Sequence, residues 1–124
     1  MGNPTLIKAG TAEAAIAPYR IVKFGANDGG YVQAAAATDS LAGVCESVGP
    51  ASGERVDVIK SGIADVEYGG VVTRGGPVTA DANGKGVAAA PAAGSNVRII
   101  GFAEVTTAAG DIAPTWIEPG IMQG

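Results

Sequence analysis

Glycine and proline interrupt this chain so often that long regular elements are excluded. The sequence has 20 glycines and 7 prolines in 124 residues. The segments 27–30 and 81–84 combine Asn or Asp with Gly, and these residues accept the positive φ angles of tight hairpin turns. Between such turns apolar and polar residues alternate, as at 56–58 and 63–68. A period of two is typical of half-buried strands and predicts a mainly β fold.

The predicted strands all lie beyond residue 19. They span 20–24, 30–34, 41–48, 55–59, 63–67, 77–80, 97–105 and 111–117. Residues 1–12 hold Gly2, Pro4 and only a short apolar patch, so we expect them to form an extended N-terminal arm. Residues 13–124 are expected to form one domain, a small β-barrel or β-sandwich. Short helical turns are expected in the alanine runs, because alanine favours helix.

A weak internal repeat relates the two halves of the chain. The segment 43–46 resembles 101–104, and 59–62 resembles 117–120 at the same spacing. Chance similarity in a chain rich in Gly, Ala and Val is the alternative explanation. A true repeat would give two related β-units, at about 20–62 and 77–120, within one compact fold.

The chain carries few large side chains for a core. Aromatic residues make up 5% of the sequence, and much of the apolar content is alanine. We therefore expect a modest core that is supplemented by contacts between subunits. Trp116 is the largest apolar residue near the C-terminus, and it is predicted either to fill the core or to lie at a subunit interface.

Charge and cysteine content exclude several partners. The net charge is −4 and the 8 basic residues are scattered, whereas sequence-independent nucleic-acid binding needs clustered Lys and Arg. The single cysteine, Cys45, can form no internal disulfide, and its apolar neighbours predict a buried thiol. No apolar run approaches the ~20 residues that span a bilayer, and residues 1–8 lack a secretory signal pattern. We expect no membrane or nucleic-acid partner and synthesis in a host cytoplasm.

The sequence offers little for catalysis. It contains no histidine, which removes every nucleophile, proton shuttle and zinc site that depends on one. Asp57, Asp65 and Glu67 remain as carboxylates, and a solvated strand face explains them. The segment 81–86 lacks the acidic end of a calcium loop and the Ser or Thr of a P-loop. We predict a protein that is not an enzyme, with no catalytic residues, no cofactor and no metal.

Order and spacing along nearly the whole chain resemble one family. The segments that carry the resemblance are 8–13, 16–24, 36–44 with Glu46, 53–58, 62–67, 77–84, 98–104 and 109–112. This acidic, histidine-free chain, rich in Ala, Gly and Val, resembles the capsid cement (head decoration) proteins of tailed bacteriophages. The resemblance implies a virion protein on the outer surface of the expanded capsid, which clamps neighbouring major capsid subunits against the pressure of packaged DNA.

The resemblance also implies partners and a contact region. The major capsid protein is the expected partner, and the chain is expected to associate with itself as a homotrimer, with a dimer as the alternative. The predicted capsid contacts belong to the arm: Asn3, Pro4, Thr5, Leu6, Ile7 and Lys8. Three other functions stay open from the residues alone. They are another phage structural component such as a head fibre or tail domain, a carbohydrate- or ligand-binding β module, and a small hydrolase.

Overall fold

Nine strands make up the regular structure of the computed structural model, which describes residues 2–124. Met1, the first residue of the predicted arm, lies outside the described residues. In chain order the strands are β1 (Asn3–Ala12), β2 (Ile21–Phe24), β3 (Gly30–Gln33), β4 (Leu41–Cys45), β5 (Arg55–Glu67), β6 (Pro77–Ala80), β7 (Gly86–Ala88), β8 (Asn96–Ala103) and β9 (Ile112–Gln123). They form one sheet in the order β1-β3-β2-β4-β5-β9-β8-β6-β7, with an additional pairing of β1 and β5.

The first half of the sheet closes into a ring of five strands. The first strand, β1, pairs in parallel with β3 and antiparallel with β5. The antiparallel pairs β3–β2, β2–β4 and β4–β5 complete the circuit. We call this part, residues 3–61, ring A. Closure removes free strand edges, which is how short strands satisfy their backbone groups.

The second half repeats the same circuit. The second part of β5 pairs with β9, β9 with β8, β8 with β6 and β6 with β7. A parallel bridge between Tyr68 and Gly86 links the end of β5 to β7, in the position of the β1–β3 pair. We call residues 62–123 ring B. The long strand β5 therefore serves as the last strand of ring A and the first strand of ring B.

Backbone hydrogen bonds repeat at matching positions of the two rings. The amide of Ala12 donates to Glu54 in ring A, and the amide of Tyr68 donates to Asp111 in ring B. Val22 pairs with Gly43 in ring A, and Val78 pairs with Gly101 in ring B. These matches lie 56 to 58 positions apart in the sequence, the spacing of the repeat that the sequence indicates.

Two buried clusters fill the molecule. The smaller lies in ring A and comprises Ala12, Ile16, Val22, Tyr31, Ala42, Cys45, Val56 and Val58. The larger contains the interior of ring B together with ring A residues such as Ile21, Val44 and Ile59. One apolar cluster therefore extends across both rings, so the rings pack against each other.

The mainly β fold is confirmed, whereas the expected short helical turns are wrong. No helix occurs between residues 2 and 124. In the alanine run 34–37, the carboxylate of Asp39 accepts hydrogen bonds from the amides of Ala35 and Ala36. In the second run, Ala88 belongs to β7 and the amide of Ala89 donates to Pro77. Side-chain capping and sheet pairing therefore outweigh the helix propensity of alanine.

The segment expected as an extended N-terminal arm is extended, and it is hydrogen-bonded as a strand of the sheet. Residues 3–12 form β1 and pair with β5 from Arg55 to Ile63. Only Ala12 of this strand is fully buried, so the sequence lacks the apolar alternation that indicates a strand. The pairing with β5 holds it in place without a buried face.

Candidate functional site

The predicted capsid contacts lie together on the exposed strand β1. Leu6 is 54% exposed and Ile7 is 44% exposed, although neighbouring residues of a strand point to opposite faces. The pairing of β1 with β5 shifts register between Pro4 and Leu6 and again between Leu6 and Ile7. These irregularities twist the strand at that point. Residues 5–9 are all exposed, so both faces of β1 are open to solvent here, and both apolar side chains are accessible.

The opposite strand fits closely beneath this segment. The hydroxyls of Thr5 and Ser61 form a hydrogen bond of 2.8 Å. A Cβ atom on Gly62 would lie 2.5 Å from the amide nitrogen of Thr5, and Gly62 has a φ of +90°. Glycine at this position allows the backbone of β1 to approach β5 and supplies a backbone conformation that other residues rarely adopt.

A second exposed apolar group lies at one end of ring A. Phe24 is 56% exposed and packs against Tyr31 with ring centroids 5.9 Å apart. The ammonium of Lys60 lies 4.6 Å from the centroid of Phe24 and 4.9 Å from that of Tyr31. This arrangement is a cation–π contact. Phe24, Lys60 and the turn 25–30 are called the Phe24 end below.

Trp116 lies on the outer face of ring B and not in the core. Its side chain is 46% exposed and packs against Phe102, with centroids 5.7 Å apart. Pro77 pairs with Phe102, and Phe102 pairs with Trp116, so the three residues form one row across β6, β8 and β9. This row is called the Trp116 row below. Its role as a subunit interface stays a prediction.

The concave sites are small. One cleft has a volume of about 200 Å³ and is lined by Pro4, Tyr19, Glu46 and Asp65 among others. A second, of about 220 Å³, lies beside Glu46 and Asp57. Both volumes are below the ~300–1,000 Å³ of pockets that enclose small ligands. The described residues include no group of three acidic, cysteine or histidine side chains that could hold a metal.

The carboxylates considered for catalysis are engaged in ion pairs or hydrogen bonds. Glu67 lies 3.4 Å from Arg20 and 3.4 Å from Lys85. Asp57 accepts a hydrogen bond from Arg55 at 3.0 Å. Asp65 and Glu67 share one side of β5, as the sequence indicates. Glu67 bridges two cations and thereby links β5 to the residue before β2 and to the turn between β6 and β7.

The single thiol is unsuited to chemistry. Cys45 is fully buried, and its sulfur lies 3.5 Å from the carbonyl of Val48. Burial, with smaller contributions from Glu46 and Asp57, raises the pKa of Cys45 to about 11. The thiolate is the reactive form of cysteine, so the thiol is inert at neutral pH. The prediction of a buried thiol is confirmed.

The fold belongs to the all-β class, and no helix of the described chain could cross a membrane. No protein-family model matches the sequence, and no curated protein matches it either. A solved structure does match: the head fiber gp8.5 N base of bacteriophage phi29. The TM-score is 0.66 at 17% identity, over 91% of this chain and 93% of that chain. At this identity the likeness establishes a shared fold.

Proposed function

We propose that this chain is a structural component of a tailed-phage head and binds the outer surface of the capsid. The observation that carries the proposal is the match to a phage head fibre base, which covers 91% of this chain and 93% of the other. Since coverage exceeds 90% in both directions, nearly all of this chain corresponds to nearly all of that chain. A resemblance to head decoration proteins, carried by sequence order and spacing, supports the outer surface of the head.

The surface around Leu6 and Ile7 is the proposed contact with the major capsid protein. Both side chains are exposed on β1 beside Lys8, which is also exposed. Interfaces gain most of their affinity from a few apolar anchors that lose contact with water. Because β1 closes ring A through its pairing with β5, the contact is presented on a fixed strand, and no ordering of a loose arm is required on binding.

Substitution tests this contact better than truncation, because deleting β1 would open ring A. Leu6→Ser combined with Ile7→Ser keeps the strand backbone and removes both exposed apolar groups. We expect this variant to fold as the parent does and to sediment with expanded, undecorated heads at least about 30-fold more weakly. Val48→Ser is the matched control, since Val48 is 79% exposed in a loop. Equal binding of all three proteins would refute the β1 contact.

Two modes of action at the head surface make different predictions. A cement protein bridges neighbouring major capsid subunits, so saturating it should raise the temperature at which expanded heads release their DNA. In the second mode, that of a head fibre component, the chain attaches to the shell without bridging subunits, so the release temperature should not change. The likeness to a fibre base favours the second mode, and the sequence resemblance favours the first. DNA release measured with and without the bound chain decides between them.

A further inference from the structure

The Trp116 row has a counterpart in ring A. In ring A, Ile21 pairs with Val44, and Val44 pairs with Ile59. The pairs Pro77–Phe102 and Phe102–Trp116 occupy the same positions of β6, β8 and β9. The two rows therefore lie on corresponding outer faces of the two rings.

The two rows differ in what covers them. The ring A row is fully buried, with exposures of 0% for Ile21, 0% for Val44 and 5% for Ile59, and it belongs to the cluster that fills ring B. Trp116 in the ring B row is 46% exposed. The outer face that is packed in ring A is thus exposed in ring B. The exposed ring B face carries the larger side chains.

Residues at one end of ring B cover the ring A row. The turn 81–85 docks there: the amide of Ile21 donates to Gly84 at 2.8 Å, and the side chains of Arg20 and Gln33 donate to the carbonyl of Asn83. Ala80, immediately before the turn, is buried in the same cluster as the row, and so is Ile117 of β9.

The corresponding end of ring A is exposed. Phe24 pairs with Tyr31 as Ala80 pairs with Gly86, so Phe24 is the counterpart of Ala80. By the same register Lys60 is the counterpart of Ile117, and the turn 25–30 is the counterpart of 81–85. Phe24 is 56% exposed, whereas Ala80 is 2% exposed. The Phe24 end therefore corresponds to a surface that packs internally in ring B, but its aromatic ring stays exposed in the described residues.

We infer that the Trp116 row of one copy packs against the Phe24 end of the next copy, head to tail. This contact would repeat between chains the packing that joins ring B to ring A within a chain. Both surfaces expose an aromatic ring, the side-chain type that is enriched among energetic anchors of interfaces. A contact between two different surfaces leaves a pair of copies with one free surface of each kind, and all surfaces are occupied only if the copies form a closed ring.

Charge disfavours a symmetric pairing of two Trp116 rows. Glu104, which follows β8, and Glu118 on β9 lie two positions beyond Phe102 and Trp116, and both are exposed. Two Trp116 rows facing each other would bring these like charges together, which is unfavourable. The Phe24 end carries Lys60 together with the exposed Asp28, and the Glu13 carboxylate caps its turn, so its charges are mixed. One internal hydrogen bond cannot recur, since Pro77 has no amide proton to replace that of Ile21, so the contact depends on aromatic packing.

The test uses two single variants of the full chain and their mixture. We expect the parent to exceed the monomer mass in sedimentation velocity, and both Trp116→Arg and Phe24→Arg to remain monomers. Mixed in equal amounts, the variants should form a one-to-one dimer and nothing larger, because each supplies the surface that the other lacks. Val71→Arg is the matched control, since Val71 is 69% exposed, and it should associate as the parent does.

Three results would overturn the inference. These are a parent that stays monomeric at every concentration, a Phe24→Arg variant that associates like the parent, and a mixture of folded variants that yields no dimer. Circular dichroism and the unfolding temperature of each variant identify any loss of fold, and Trp116→Ser with Phe24→Ser then replaces the arginine pair. The experiment needs no phage heads, so its outcome is separate from that of the proposed function.

Discussion

At the scale of residues, one tyrosine fills the interior of each ring. The two tyrosines belong to corresponding residue pairs, but each comes from the opposite partner of its pair. In ring A the paired residues are Ala12 and Tyr31, and in ring B they are Tyr68 and Gly86. Gly86 leaves room for the Tyr68 ring, since a Cβ there would lie 3.1 Å from it. Large and small residues have exchanged places, which preserves the filled volume and packing of the core.

The phenol of Tyr68 provides the first prediction. Its hydroxyl hydrogen-bonds to the buried hydroxyl of Thr115, and burial raises the pKa of Tyr68. Tyr68→Phe leaves the Thr115 hydroxyl without this partner, so we expect a loss of about 1 kcal/mol in the free energy of unfolding. Denaturant unfolding measures this value. Tyr31→Phe is the control in the other ring, and a larger loss there than in Tyr68→Phe would contradict the assignment.

Acid sensitivity is expected at Glu13. Its carboxylate accepts hydrogen bonds from the amides of Ala26 and Asn27, at 2.8 and 2.9 Å, and these bonds lower the pKa of Glu13 from its ordinary value. A pKa that is lower in the folded state gives stability that is present above the unfolded pKa and is lost as pH falls through the folded pKa. The turn 25–30 is therefore weakened by acid.

The measurement is the unfolding temperature between about pH 5 and pH 3. We expect Glu13→Gln to lower it at pH 5 and to reduce its fall towards pH 3, since the variant has no carboxylate to protonate at this turn. Glu118→Gln, on an exposed strand position, removes the same charge and should follow the parent curve. Parallel curves for the parent and Glu13→Gln would count against the capping role.

At the scale of elements, a glycine in the fourth strand of each ring shapes the sheet. Gly43 and Gly101 lie at shifts in strand register, and each approaches the neighbouring backbone closely. A Cβ on Gly43 would lie 2.4 Å from the carbonyl oxygen of Ile59, and one on Gly101 would lie 1.8 Å from that of Trp116. No side chain fits at either position.

The third prediction follows from this contact. Gly101→Ala should lower the free energy of unfolding by about 2 kcal/mol or more, because the backbone of β9 must move to admit a methyl group. Gly120→Ala is the matched control on β9, where the nearest atom to a new Cβ, in the Ile99 side chain, is 3.7 Å away. Chemical denaturation compares the two. Equal stability of both variants would disprove the close approach.

Strands whose boundaries are marked by turn residues could be predicted from the sequence. Strands that form only because they pair with neighbouring strands were missed. Residues 77–80 form β6 as predicted, between two turns. The predicted strands 55–59 and 63–67 are one strand, β5, because Gly62 continues the sheet where a break was expected. Both β1 and β7 were missed, since β1 is mostly exposed and β7 has only three residues.

The candidate surfaces were predictable in part. Trp116 stands out by size, but only the register of β8 and β9 places it outside ring B beside Phe102. Leu6 and Ile7 read as an isolated apolar patch, and both are exposed because neither face of β1 is covered over residues 5–9, which no local pattern encodes. Phe24 reads as the end of a buried strand. Its exposure depends on what packs at the end of ring A, which is a property of the assembled fold.

At the scale of the whole molecule, duplication explains how a chain with few aromatic residues holds together. The strand β5 belongs to both rings, and the larger buried cluster runs from Ile21 in ring A to Ile117 in ring B. Neither ring has an independent outer face at their junction. The same construction leaves the Trp116 row and the Phe24 end exposed, as the inferred contact between copies requires.

Attachment of this chain to the outside of a phage head can be seen by electron cryo-microscopy of expanded heads, prepared without the chain and then saturated with it. We expect additional density outside the shell at regular lattice positions, into which both rings fit with β1 facing the capsid. Heads that show no added density at saturation, or density confined to the interior, would contradict it.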